Sequence, residues 1–150
     1  MVHAISGCDS TSSLYGLGKA NVMKSIVQSD SASRCAEVLA CPDAGHDEVV
    51  RAGLQLLNIL YGGQPDDSLN RLRYLAYMRI TATTTQMLRP EYLPPTENSA
   101  KYHVMRVHLQ VLQWKSLTTT GFNPQDWGGT YLMAGTSQLP PTLNQHQWSC

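Results

Sequence analysis

The stretch from Asp47 to Tyr61 constrains the fold more than any other. Val50, Leu54, Leu57 and Tyr61 recur at three- and four-residue spacing, with Val49, Leu56 and Leu60 beside them. Apolar side chains at that period form one broad helical face, and a face so wide has to be buried against other elements. Asp47 stands at its start as a cap, and Gly62-Gly63-Gln64-Pro65 ends it. The rest of the chain must therefore supply partners for this helix.

It supplies them as more helices. Lys19 to Gln28 reads as one; a second, capped by Ser31 or Ser33, reaches Leu39 and is broken at Cys41-Pro42-Asp43-Ala44-Gly45. Beyond Pro65, one of Asp66, Asp67 and Ser68 starts a helix that carries Leu69, Leu72, Ala76 and Ile80, with Arg71, Arg73 and Tyr74 on its other side. Thr81 to Thr85 is rich in β-branched residues and reads as a loop or a short extended piece. Pro90, Pro94 and Pro95 form a rigid connector, after which Thr96 or Ser99 opens a last helix to about Leu117. Val104, Val107, Val111 and Trp114 make its packing face. The predicted fold class is mainly α, a helical module of about five helices over 1–117. A loop-rich, irregular tail over 118–150 follows, packed through Phe122 and Trp127 at most.

At 150 residues and 42% hydrophobic, the chain suffices for one compact domain. It holds no run of about 18 apolar residues, so no membrane span is expected. Met1-Val2-His3-Ala4 lacks the basic and apolar regions of a signal peptide. Cys8, Cys35, Cys41 and Cys150 show no C-x-x-C spacing, which implies reduced thiols, no zinc site made within the chain, and an intracellular location, the nucleus included. His146 and Cys150 would at most begin a zinc segment completed by further sequence. His103 and His108, five apart, do not share a helix face well and read as hydrogen-bonding histidines rather than metal ligands.

Zero net charge conceals a segregation. From Asp30 to Asp67, seven acidic residues face only Arg34 and Arg51; from Arg71 to Lys115, seven basic residues face only Glu91 and Glu97. The basic half suits a phosphate backbone, or is neutralised by the acidic half of the same chain.

The chemistry-bearing motif lies near the start. Gly7-Cys8-Asp9 is followed by Gly16-Leu17-Gly18-Lys19, a glycine-rich turn opening a helix. Glycine accepts positive φ and close backbone approach, a helix start presents N–H groups to an anion, and Lys19 adds a charge there. Asp9 offers a carboxylate to a hard cation, or serves as a turn or capping residue. A Walker-type phosphate loop is excluded, since Ser13 and Ala20 stand where it needs Gly and Ser or Thr.

Gly7-Cys8-Asp9 with Gly16-Leu17-Gly18-Lys19 resembles the helix-two-turn-helix of the flap-endonuclease and 5′-nuclease superfamily, although this chain lacks the proline before the lysine. The opening His3 to Ser12, Leu93-Pro94-Pro95-Thr96, His103 to Gln110, Trp114-Lys115 and Asn123 to Gly128 also resemble, in order, a group of large animal proteins associated with mobile elements. That resemblance implies a carboxy-terminal part of a longer protein with a PIN-like nuclease head, and hence a loosely anchored start at Met1. It further implies sequence-independent DNA binding by Gly16, Gly18, Lys19 and Lys24. Mg or Mn would bind through Asp9 only with carboxylates from the longer protein, so this chain is not expected to be a nuclease by itself. The alternative expectation is a non-catalytic helical protein-interaction domain from a decayed mobile-element protein.

Overall fold

The computed structural model describes residues 1–84 and 87–115, which hold six α-helices and one 3-10 turn. The helices are α1 (Val2–Ser6), α2 (Lys19–Gln28), α3 (Asp30–Leu39), α4 (His46–Leu60), α5 (Leu69–Thr83) and α6 (Glu97–Trp114), with the 3-10 turn at Pro90–Tyr92. No named strand occurs among the described residues, so the mainly α fold class holds. The expectations for Phe122, Trp127, His146, Cys150 and the rest of the 118–150 tail lie outside the described residues.

The α4 helix is the hub, packed on α3 along one side and on α6 along another. Its buried positions are Val49, Ala52, Gly53, Leu56, Leu57 and Asn58, whereas Val50 and Leu54 of the predicted stripe are only half-buried. The face is thus rotated toward the small residues. A Cβ on Gly53 would lie 2.1 Å from Val104 Cγ1, so glycine here permits α4 and α6 to approach closely. On α6, Ala100, Val104, Val107 and Val111 fill that seam while Trp114, expected on the same face, is half exposed and stacks on His3 at 5.5 Å.

Helix starts differ from expectation in their caps. Ser29, not Ser31 or Ser33, accepts the Ala32 amide at 3.3 Å and begins α3. Gly45 is the N-cap of α4, leaving Asp47 and Glu48 in its first turn, where carboxylates oppose the helix dipole. Thr96 caps α6 as expected, accepting the Ser99 amide at 3.3 Å. The α5 helix runs to Thr83, into the segment expected to be a loop or extended piece, and Thr84 is extended. In the last turn of the helix the Thr81 and Thr83 hydroxyls donate back to the Tyr77 and Arg79 carbonyls at 2.9 and 3.1 Å.

The start of the chain is not loosely held. Ala4 and Ile5 are fully buried, α1 packs on α2 and α6, and the His103 ring reaches the Ile5 carbonyl at 3.1 Å. A carbonyl only accepts, so His103 Nε2 carries the proton and Nδ1 presents a bare lone pair, which finds no partner. Burial drives the His103 pKa down to about 4, against the pull of the Ile5 carbonyl and with a further push from Arg106. His108 Nδ1 donates to the Leu39 carbonyl at 2.9 Å, and burial lowers its pKa as well. Both histidines are interior clamps joining α6 to α1 and α3. Among the described residues, no helix is long and apolar enough to cross a membrane.

Candidate nucleic-acid interface at the start of α2

Gly7 ends α1 with φ of +112°, and a Cβ on it would lie 2.6 Å from the Ser13 Cα. The chain then folds on itself: Cys8 N–H donates to Thr11 O at 3.1 Å and Thr11 N–H to Cys8 O at 3.2 Å. The buried Thr11 hydroxyl donates to the Ala4 carbonyl at 2.6 Å, and the Ser10 hydroxyl to Gln110 Oε1, so this turn is seated on α1 and α6. Burial pushes the Cys8 thiol up, but its hydrogen-bonding contacts with Ser10 and Thr11 outweigh it and leave its pKa below the ordinary value. Asp9 sits at the tip of the turn, exposed.

No group of three His, Cys, Asp or Glu able to hold a metal forms among the described residues. One exposed carboxylate does not make a site for Mg or Mn, which need several oxygen ligands. Asp9 would hold Mg or Mn only together with carboxylates from further sequence. Other carboxylates serve the backbone: Asp67 accepts the Gln64 amide at 2.7 Å and pairs with Arg71 at 3.2 Å.

The Gly16-Leu17-Gly18-Lys19 segment does open a helix. Leu17 is buried and its N–H donates to Leu14 O at 3.2 Å, anchoring the turn from below. Gly16 has φ of +78°, as the sequence required of a glycine turn. Gly18 does not: its φ of −68° and ψ of 148° suit any residue, and a Cβ there would meet nothing within 4 Å. Gly18 matters instead as an N-cap without a side chain, because no side-chain bond caps α2 and its first amides stay available.

Lys19 is exposed and no described side chain pairs with it. Lys24 is likewise exposed, but five residues along the helix places it about 140° around from Lys19, so the two do not converge on one anion. In the basic half, Arg71 meets Asp67 across the charge boundary, while Arg73 and Lys115 donate to the carbonyls of Pro94 and Ala40 at 2.5 and 2.9 Å.

Sequence reasoning missed one surface. On α5, Tyr74, Leu75, Tyr77 and Met78 are all substantially exposed, and only Leu69 is buried. The signal was present, since apolar residues surround this helix rather than forming one stripe. Compared with family models, curated proteins and solved structures, the chain finds no match.

Proposed function

We propose that this chain is the DNA-backbone-binding helical part of a PIN/flap-nuclease-like protein, non-catalytic by itself. The observation that carries the reading is the start of α2: a left-handed Gly16, a Gly18 cap without a side chain, and a Lys19 with no partner among the described residues, all at one exposed helix N-terminus. Such a terminus offers amide donors, the positive end of the dipole and a mobile cation to a phosphate. The order α1, glycine turn, α2 and capped α3 also suits the helix-two-turn-helix resemblance. Backbone contacts of this kind position a protein without reading bases, so binding is independent of sequence.

Lys19→Ala should weaken duplex DNA binding equally across sequences and lower the slope of log affinity against log salt by about one unit, the loss of one phosphate contact. Gly18→Ser should also weaken it, because a serine cap takes an amide that the phosphate would use, while the fold gains a few tenths of a kcal/mol. Fluorescence anisotropy over a salt series, with circular dichroism for folding, reads both. No affinity of the unmodified chain at about 50 mM salt, where phosphate contacts are strong, ends the proposal.

The exposed apolar surface of α5 favours a second reading, a helical protein-interaction domain. The two readings are separately testable, through Lys19 for the first and the side chains of α5 for the second.

A further inference from the structure

A cleft of 690 Å³ opens between α5, the carboxy-terminal end of α4 and the loop before α2. Leu72, Ala76 and Ile80 line one wall, all on one face of α5 at four-residue spacing, with Leu75 and Arg79 on the same side. The opposite walls are held in place. Tyr15 stacks on Tyr92 at 4.4 Å between ring centres, and the Tyr61 hydroxyl reaches the Tyr15 carbonyl at 3.5 Å. Burial pushes the Tyr61 phenol up to about 12, so it stays a neutral donor.

Charge says what covers this cleft. Arg79 is the charged residue in its lining, and α5 contains no acidic residue. Arg71 is engaged by Asp67 and Arg73 by the Pro94 carbonyl, whereas no described side chain pairs with Arg79. The site therefore offers an apolar trough with one cation at its edge that nothing among the described residues neutralises. A symmetric second copy seated on the cleft would bring Arg79 toward its own equivalent, where like charges repel. A nucleic-acid strand would require a track of cations along its phosphates, and the trough provides one.

We infer that the α5 cleft docks a short amphipathic segment of another protein, with leucine-like or aromatic anchors at helical spacing and a carboxylate that meets Arg79. The anchors enter between Leu72, Ala76 and Tyr61, beside the exposed Leu75 of the same wall. This deepens the protein-interaction reading of α5; the cleft adjoins the start of α2 through Gly16 and Leu17, and Lys19→Ala, which weakens the clamp, should leave peptide binding unchanged.

The test is selection from a random peptide library displayed on phage against the full chain, followed by anisotropy of the enriched peptides. The expected peptides carry apolar residues at i, i+3 or i+4 and i+7 with Asp or Glu beside them. Ala76→Arg should lower their affinity at least tenfold by filling the trough. Arg79→Glu should lower it by a similar factor and transfer preference to versions with Lys in place of Glu. Circular dichroism and urea unfolding confirm that both variants fold, which exposed or half-buried positions allow. Enriched peptides that bind Ala76→Arg as well as the unmodified chain, or that show no acidic enrichment, overturn the cleft assignment while leaving an interaction role elsewhere. No enrichment at all overturns the protein-interaction reading with it. An oligothymidylate that binds more tightly than every peptide, and loses affinity in Ala76→Arg, assigns the cleft to single-stranded nucleic acid and overturns the inference as well.

Discussion

Helices α4 and α5 are each 15 residues long and each rich in apolar side chains, yet α4 buries six residues and α5 buries Leu69 alone. The difference lies in what each offers to a neighbour. Ala52 and Gly53 make a shallow groove on α4 into which Val104 of α6 descends, and α3 closes the other side. The larger side chains of α5 leave no such groove, and its links to α6 are polar and terminal: Ser68 donates to Glu97 Oε1 at 2.6 Å, and Asn70 Oδ1 accepts the Glu97 amide at 3.3 Å. Hydrophobic periodicity alone therefore tells which residues need a partner, whereas the small residues tell where the partner is.

The largest effect should come from breaking the packed side. Gly53→Val places a branched side chain where even its Cβ would lie 2.1 Å from Val104, itself stiff in a helix. Overpacking of that degree should cost about 3 kcal/mol, read as a lower urea midpoint with little change in slope. Val104→Ala combined with Gly53→Val should recover part of the loss, and purely additive effects would show that the two residues do not meet.

The seam between α1 and α6 should make the packed side sensitive to acid. His103 is neutral when folded with a pKa near 4, but in the unfolded chain it takes a proton below about 6.5. Between those values the unfolded state binds more protons, so stability is fully present above pH 6.5 and falls as pH drops toward 4. The shift corresponds to about 3 kcal/mol, and the lowered pKa of His108 acts in the same direction. Urea unfolding across that range measures it. His103→Gln keeps an N–H for the Ile5 carbonyl and should flatten the profile, and an unchanged profile would mean that His103 is not the group responsible.

How legible this was in the sequence follows the same division. The α4 and α6 helices were readable from period and breakers, because each has an apolar stripe and a Gly or Pro at a boundary, and α2 from the glycine turn that opens it. The α1 helix was not, being only five residues long and held by long-range burial of Ala4 and Ile5 rather than by local propensity. The last turn of α5, Thr81 to Thr83, was misread because the low helix propensity of β-branched residues is a weak prior that an already formed helix overrides. Within the candidate site, the turn at Gly16 and the exposed Lys19 were visible in the motif. The role of Gly18 was not, since a glycine can be present for its torsion or for its missing side chain. Those roles separate experimentally: Gly16→Ala should cost about 1 kcal/mol through its positive φ, while Gly18→Ala should leave stability nearly unchanged. Equal losses at the two positions would remove the distinction.

The smallest effect is expected on the open side, and it is the one that tells an unfinished core from a working surface. Were α5 simply a badly packed part of the interior, its apolar side chains would still exclude water from their neighbours, and removing them would destabilise the fold. Tyr74 is 61% exposed and Leu75 49%, so truncation withdraws little area from burial. Tyr74→Ser and Leu75→Ser should therefore each lie within about 0.5 kcal/mol of the unmodified chain in urea unfolding, as exposed positions do. A loss of about 2 kcal/mol or more at either would mean that α5 is more deeply packed in solution than Tyr74 and Leu75 are here. A near-zero change in stability, together with greater solubility at high protein concentration, is what a surface shaped for another protein predicts, because the same side chains that contribute nothing to folding promote self-association when left uncovered.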